Sequence, residues 1–126
     1  MESKLVLLIG LIFYTIDLST AFSECYVVGG VLSCNGNSTI TKGQMVELWD
    51  DDVGYDEIMA VTVANDVGSF MISGCSDDLF GEPDPYLYIR HKCGLGQNSE
   101  PAGQRVEFKS GDINMDIELT AKKTEK

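Results

Sequence analysis

The amino-acid sequence predicts an all-β fold, an antiparallel β-sandwich of about seven strands. Short runs in which apolar and polar residues alternate recur along the 126 residues, and clusters of Gly, Asn, Asp and Pro separate them. The runs follow one another at intervals of about 8–12 residues, as in sandwich proteins. No segment keeps a helical period. Each run has one apolar face, which two sheets packed face to face would bury.

The predicted strands follow this alternation in chain order. They span residues 26–34, 44–50, 58–64, 68–73, 85–91, 105–109 and 113–120. In the third strand, Met59, Val61 and Val63 are predicted to share one face, because side chains alternate across a strand. The acidic segment 50–57 is predicted to be a loop between the second and third strands. A short helix is expected only within the connections 76–83 or 94–104.

The N-terminus predicts a secretory signal peptide. Lys4 precedes an almost wholly apolar run at 5–16, and small residues lead up to Ala21. This run is shorter than the roughly 18 residues that a transmembrane helix needs, which disfavours the alternative of an N-terminal membrane anchor. Cleavage is predicted after Ala21, with Ser23 as the second choice. We therefore expect a signal peptide at 1–21 and one domain at 22–126, in a secreted, extracellular protein without a transmembrane segment.

The composition is strongly acidic. The chain has 20 Asp and Glu residues against 9 Lys and Arg residues, a formal net charge of −11. Removing residues 1–21 leaves 18 acidic and 8 basic residues, a charge of −10. Such a surface repels phosphate backbones and anionic lipid headgroups within one Debye length, ~8 Å at physiological salt. Nucleic acid and anionic membranes are therefore disfavoured as partners.

The cysteines and one sequon predict covalent modifications of the domain. The four cysteines are Cys25, Cys34, Cys75 and Cys93. An even number in an oxidising compartment predicts two disulfides, and the spacing alone leaves three possible pairings. A zinc site is disfavoured because His91 is the only histidine and no Cys-x-x-Cys occurs, and no cofactor is predicted. The sequon Asn37-Ser38-Thr39 falls in a predicted turn, so Asn37 is a predicted glycosylation site.

His91 is the side chain that most invites a catalytic interpretation. Nucleophilic catalysis needs a nucleophile, a base and an orienting group close together. His91 stands alone on the apolar face of its strand with Leu87 and Ile89, which favours a structural histidine and no catalytic site. The acidic segment 50–57 offers oxygen ligands for Ca²⁺, but it lacks the spaced ladder of a known calcium loop. A solvated loop without a metal is the favoured interpretation.

Aromatic residues are the remaining candidates for contact with a partner. Tyr86 and Tyr88 lie on the face opposite Leu87 and Ile89, and Trp49 lies on the second strand. Two interpretations of the tyrosines remain open, either cover for the second side of the sheet or an exposed patch for a partner. Ordinary packing on the sheet face is the favoured one.

Four segments form an ordered set of motifs. The first is Gly30-Val31-Leu32-Ser33-Cys34 with Asn35-Gly36, and the second is Leu48-Trp49-Asp50 with the acidic residues 51–56. The third is the turn Asn65-Asp66-Val67-Gly68-Ser69-Phe70. The fourth is Pro85-Tyr86-Leu87-Tyr88-Ile89-Arg90-His91-Lys92-Cys93. Together they resemble the transthyretin-like family, a group of secreted proteins expanded in nematodes, over roughly residues 26–120.

The resemblance implies a transthyretin-like sandwich in which the first and fourth strands are antiparallel neighbours. That layout implies the disulfides Cys25–Cys75 and Cys34–Cys93. Cys25 and Cys75 fall outside the family's usual pattern, which has instead a further cysteine after the His-x-Cys of the fourth motif. Relatives of transthyretin that hydrolyse hydroxyisourate have several histidines and a Tyr-Arg-Gly-Ser C-terminus. With His91 alone and a different C-terminal sequence, that activity is not expected.

The leading functional hypothesis is a secreted, non-enzymatic binding protein of this family. It would carry a small apolar ligand or act as an extracellular adaptor that contacts another protein. The alternative is a structural or interaction component of the extracellular matrix or of secretions. A hydrolase is the least favoured hypothesis, because His91 has no nucleophile as a partner.

Overall fold

The computed structural model describes residues 24–52, 54–76 and 83–121, and seven strands make up most of these residues. The strands are β1 (Glu24–Cys34), β2 (Met45–Asp52), β3 (Tyr55–Val63), β4 (Ser69–Ser76), β5 (Pro85–His91), β6 (Ala102–Glu107) and β7 (Met115–Leu119). The predicted signal peptide at 1–21 lies outside the described residues. The predicted all-β sandwich of seven strands is confirmed.

The strands form two sheets. One has the order β4-β1-β7 and the other has the order β3-β2-β5-β6. The expected antiparallel pairing of the first and fourth strands is present, with Cys25 opposite Cys75. β1 also pairs with β7 in parallel, so it is the central strand of the smaller sheet. In the larger sheet all pairs are antiparallel.

The inner faces of the two sheets build the core. β1 contributes Val28 and Leu32, and β5 contributes Leu87 and Ile89, all four with no exposed surface. The other core residues are aliphatic or aromatic side chains from β1, β2, β4 and β7 and from the residue after β3: Tyr26, Val46, Leu48, Ala64, Phe70, Ile72, Ile117 and Leu119. Each fully buried aliphatic side chain contributes about 1.5–3 kcal/mol of transfer free energy. The core therefore accounts for the alternation of the sequence.

A β-bulge changes the predicted face of the third strand. Leu48 pairs with Ala60 and Trp49 pairs with Ile58, so Met59 has no partner on β2. Met59 packs against the core beside Ala60, whereas Val61 and Val63 are 49% and 56% exposed on the outer face. The prediction that Met59, Val61 and Val63 share one face is therefore wrong. Alternation cannot reveal a bulge, because the extra residue inverts the phase of the strand.

The acidic segment 50–57 is paired strand over most of its length, so the prediction of a solvated loop is wrong. β2 extends to Asp52, and β3 begins at Tyr55. Asp50 lies opposite Glu57 and Asp51 lies opposite Asp56. The carboxylate of Asp50 is buried and accepts hydrogen bonds from the Ser76 hydroxyl at 2.8 Å and the Asp84 N–H at 2.8 Å. Hydrogen bonds of the hairpin and of this carboxylate outweigh the low β-propensity of Asp.

The connections between strands contain one short 3₁₀ turn, at Thr39–Thr41, where no helix was predicted. The segment 94–104 forms turns and the start of β6 instead of the expected helix. The other expected position for a helix was 76–83, and residues 77–82 of that connection lie outside the described part of the chain. After β1, Asn35 and Gly36 have φ values of 52° and 76°, as the central residues of a type I′ turn require.

Both cysteine pairs lie at disulfide distance. The pairs are Cys25–Cys75 and Cys34–Cys93, with Cα atoms 3.9 Å and 5.7 Å apart. They differ in exposure. Cys25 and Cys75 are exposed on the outer face of the smaller sheet, whereas Cys34 is buried and Cys93 packs against the core.

Candidate binding surface

The outer face of the four-stranded sheet carries a contiguous group of exposed aliphatic side chains. The group, called the aliphatic patch below, consists of Met45, Ile58, Val61 and Val63. Each is 45–56% exposed. They are neighbours because Met45 pairs with Val63 across β2 and β3, while Ile58 lies opposite the half-buried Trp49. Sequence alternation placed Val61 and Val63 on a strand but gave no signal that they face solvent.

A polar row borders this patch on β2 and β5. The side chain of Glu47 lies opposite Val61 and is only 14% exposed. Its Oε1 accepts a hydrogen bond from the Trp49 indole at 3.0 Å and lies 3.6 Å from the Arg90 guanidinium. Arg90 also lies 5.2 Å from the ring centre of Tyr88. Glu47 is thus held beside the patch by two neighbours, and its charge is paired with that of Arg90.

The far end of the same face is closed by a network around Tyr86. The Tyr86 ring is fully buried beneath the Arg105 guanidinium, 4.0 Å from the ring centre. Arg105 pairs with Asp51 at 3.2 Å and with Glu107 at 2.6 Å, while the Tyr86 hydroxyl donates to Asp56. Burial, followed by this hydrogen bond, raises the pKa of Tyr86 well above its ordinary value. For Tyr86, packing on the sheet face is therefore the correct interpretation.

Tyr88 packs on the same face in a different way. Its hydroxyl end lies directly over Gly103 on β6, where a side chain would collide with it. Tyr88 is partly buried there, between Gly103 and Arg90. The two tyrosines therefore cover the sheet, and the exposed aliphatic residues of this face belong to β2 and β3 instead.

His91 is held by hydrogen bonds at both ring nitrogens. The Cys93 N–H donates to Nδ1 at 3.1 Å, so the ring proton lies on Nε2, which donates to Gln104 Oε1 at 3.1 Å. Burial lowers the pKa of His91 below its ordinary value of 6.5. A neutral, buried ring with both nitrogens engaged cannot accept a proton without breaking the bond from Cys93. This geometry agrees with the prediction of a structural histidine.

Gln104 was not identified from the sequence, although it connects two sheets. Its Oε1 also accepts from the Thr120 N–H at 3.1 Å, and its Nε2 donates to the Glu118 carbonyl at 3.1 Å. The side chain therefore bridges β6 to β7 and fixes His91. Its partners are remote in sequence, and a single glutamine beside a loop has no local pattern that would reveal this role.

Two open clefts lie away from the aliphatic patch. One, of about 320 Å³, is lined by the Cys34–Cys93 disulfide, His91, Gln44 and Ile40. The other, of about 350 Å³, lies between β1 and β7 beside Val31, Ile113 and Asp116. Both have mixed polar and apolar walls, so neither resembles the enclosed apolar cavity of a small-ligand carrier.

Metal-binding groups and membrane-spanning helices are not found among the described residues. Within 24–52, 54–76 and 83–121, no three His, Cys, Asp or Glu side chains are placed to share an ion. No helix in that part of the chain is long and apolar enough to cross a bilayer. Asn37 is exposed, and its Oδ1 accepts from the Thr39 hydroxyl at 2.7 Å, so the sequon is accessible. Glycosylation there stays a prediction.

Comparison with known proteins assigns the chain to a family. A family model described as the transthyretin-like family, TTR-52, matches residues 29–109. The chain belongs to the transthyretin-like family. It is 42% identical over 71 residues to Transthyretin-like protein 5 of Caenorhabditis elegans. That alignment covers 55% of this chain and 49% of the relative, about half the length of each.

Among solved structures, a 9R-lipoxygenase from Cyanothece matches at 18% identity and a TM-score of 0.41. The match covers 76% of this chain and 16% of the lipoxygenase. A likeness of this size supports no conclusion about the reaction or ligands of the transthyretin-like chain.

The motifs shared with the transthyretin-like family lie mainly at structural positions. The Asp50 carboxylate accepts hydrogen bonds from Ser76 at the end of β4 and from Asp84 just before β5. The His91 ring is hydrogen-bonded to Cys93 and to Gln104. Gly68 has a φ of 80° and no space for a Cβ, because Ser38 O and Leu32 O lie 2.5 and 2.6 Å from that position. In this chain, these residues therefore stabilise the fold.

Proposed function

We propose that this transthyretin-like protein is a secreted, non-enzymatic binding protein that acts as an extracellular adaptor. Its contact surface is the aliphatic patch, and its partner is a protein with apolar residues inside a basic rim. The observation that carries this proposal is the joint exposure of four aliphatic side chains, each 45–56% exposed. Single exposed aliphatic residues are ordinary on protein surfaces, whereas a contiguous group favours contact with a partner.

The charge of the chain supports a basic partner. The formal net charge is −11, and this excess of acidic groups remains although Glu47 and Asp66, beside the patch, pair with Arg90 and Lys42. Charge of one sign attracts partners of the other sign during encounter and disfavours acidic ones. The aliphatic side chains then supply the apolar area for a stable contact.

The environment of His91 supports a non-enzymatic role. The histidine is 2% exposed and its two nitrogens are engaged with Cys93 and Gln104. A general base must reach the proton that it removes. Carriage of a small apolar ligand receives less support than adaptor binding, because the two clefts found among the described residues are open and partly polar.

Site-specific photo-crosslinking tests the proposal. A photoreactive amino acid replaces Met45 in full-length protein secreted from a eukaryotic host, and the protein is incubated with an extracellular fraction of its own organism. The matched control replaces Met71, which is 53% exposed on the other sheet, against 49% for Met45. We expect position 45 to capture a basic protein, with less capture as salt rises, and position 71 to capture none.

Three results would contradict the adaptor function. They are equal capture from both positions, no capture from position 45, and a non-covalent small ligand released on denaturation in native mass spectrometry. The last result would identify a carrier. Turnover of an ester or amide substrate that His91→Ala abolishes in a folded protein would identify an enzyme.

A further inference from the structure

The two edge strands of the four-stranded sheet differ in how well they are protected against the addition of another strand. On one side, β6 carries Arg105 and Glu107, and the Gln104 side chain bonds across to β7. Charged side chains and a bridging amide both hinder the addition of another strand. On the other side, β3 is the terminal strand of the sheet. Its acidic residues and its bulge lie in the first half, from Asp56 to Met59.

The second half of β3 has none of these protective features. Residues 60–64, Ala-Val-Thr-Val-Ala, contain no charge, no Pro and no Gly, and we call them the open edge. The N–H of Ala64 bonds to Gln44 O on β2, so in the alternating ladder the N–H and C=O groups of Val61 and Val63 point away from β2. The open edge therefore offers unpaired backbone groups beside half-exposed β-branched side chains.

We propose that the open edge of β3 binds an extended segment of a partner protein, which adds a fifth strand to the four-stranded sheet. The segment is apolar and β-branched at its centre and carries Lys or Arg at the end that faces Glu57. Backbone hydrogen bonds to Val61 and Val63 supply the register, and apolar contacts with the same two side chains supply affinity. This inference rests on the proposed adaptor function and names the form of its partner.

Charge favours a basic residue at one end of the segment. Glu57 lies on β3 before the open edge. Asp66 lies in the turn that follows β3, and its carboxylate is paired with Lys42 at 3.0 Å, so it is not assigned a partner on the segment. Opposite charges directly across a strand pair stabilise it, and like charges destabilise it. A basic residue that faces Glu57 would therefore match this end.

The same charges disfavour a second copy of this chain as the occupant. In a pair of two β3 strands, neither copy brings a basic residue to Glu57 of the other, because β3 contains no Lys or Arg. The net charge of −11 on each copy also opposes the pairing. The neighbouring edge strand β4 is a poorer template, because it contains Gly74 and three serines.

A synthetic peptide tests the edge directly. The probe has eleven residues, with alternating Val and Thr at the centre and two Lys at the end that faces Glu57. N-methyl groups on alternate residues allow only one of its edges to pair. Titration is followed by calorimetry and by amide chemical shifts of the full secreted protein. We expect binding that weakens as salt rises and shifts concentrated at Val61 and Val63.

Control peptides and variants separate strand addition from general stickiness. The same peptide methylated at every central residue, or with Glu in place of Lys, is expected to lose binding at least tenfold. The double variant Val61→Lys, Val63→Lys should lose peptide binding by a similar factor. Both positions are already half exposed, so this variant is expected to fold. Met71→Lys, on the outer face of the other sheet, should bind as the unchanged protein does.

The outcomes distinguish the inference from the proposed function. No binding, equal binding of the fully methylated peptide, or shifts confined to β4 would overturn strand addition. If position 45 still captures a basic protein and the peptide does not compete with it, the adaptor function stands and the edge proposal fails. If the peptide binds at Val61 and Val63 but no protein is captured from position 45, the adaptor function fails and the edge still accepts a strand.

Discussion

Gly68→Ala is the substitution whose effect the structure defines most sharply. Gly68 follows the turn Asn65-Asp66-Val67 and is buried with a φ of 80°. A Cβ there would lie 2.5 Å from Ser38 O, 2.5 Å from Thr41 Oγ1 and 2.6 Å from Leu32 O. These atoms are not free to retreat, because the Thr41 hydroxyl donates to Ser38 O and Leu32 O, and the Leu32 N–H donates to Gly68 O.

The expected loss of stability has two parts. An Ala in the left-handed region costs about 1–2 kcal/mol relative to Gly. Forcing a methyl group into a filled site costs a further 1–3 kcal/mol or so, because the neighbouring backbone must shift. Gly68→Ala should therefore reduce the free energy of unfolding by about 2–5 kcal/mol, a large share of the 5–15 kcal/mol that is typical of a domain.

Gly43→Ala is the matched control. Gly43 has a φ of 81°, and nothing lies within 4 Å of its Cβ position, so only the backbone part of the cost applies there. Urea unfolding of both variants, followed by the fluorescence of Trp49 with the disulfides intact, gives the two losses. We expect Gly68→Ala to lose about 1–3 kcal/mol more than Gly43→Ala. Equal losses within about 0.5 kcal/mol would refute the steric explanation of this turn.

Other predictions concern pH, reduction and chelation. Because burial lowers the folded pKa of His91, the unfolded chain binds a proton first, so stability should fall as pH drops through about 6.5 towards the folded pKa. Urea midpoints at pH 7.5 and 5.5 measure this, and a slope that persists in His91→Asn would assign it to other groups. Limited reduction followed by alkylation and mass spectrometry should label Cys25 and Cys75 first, because they are exposed while Cys34 is buried. Initial labelling at Cys34 or Cys93 would contradict this order. Full reduction should lower the free energy of unfolding by roughly 2–4 kcal/mol per disulfide. EDTA should leave the melting temperature unchanged, and a decrease that calcium reverses would reveal a metal site in the segment 50–57.

The sequence predicted the sandwich because the information needed for it is local. Strands are recognised from the alternation of apolar and polar residues. In β7, for example, Ile117 and Leu119 are buried in the core and the residues next to them are exposed. A strand with one apolar face is stable when that face is buried against the core. The alternation of each strand therefore predicts two sheets packed face to face. The boundary of β2 was missed because three successive Asp residues were read as a loop. Their backbone groups are bonded across the hairpin, and the Asp50 carboxylate is satisfied by groups far along the chain.

The candidate surface could not be predicted in the same way, because exposure on β3 depends on the one extra residue that the bulge adds to this strand. Without the bulge at Met59, the alternation would place Val61 and Val63 on the same face as Met59. One extra residue inverts that phase and turns two valines from predicted core residues into solvent-facing ones. The feature that creates the aliphatic patch is therefore invisible to periodicity and visible only in the register.

This separation between motif and surface has a consequence for how partners are chosen. Asp50, Gly68 and His91 lie in the family motifs and are fixed by buried contacts, so substitution there acts on folding. Val61 and Val63 lie outside the motifs and are already half exposed, so substitution there leaves the core intact. At the proposed surface, partner specificity would therefore change at little cost in stability. Membership of the transthyretin-like family accounts for the sandwich, and we propose that the outer face and edge of β3 bind the partner of this chain.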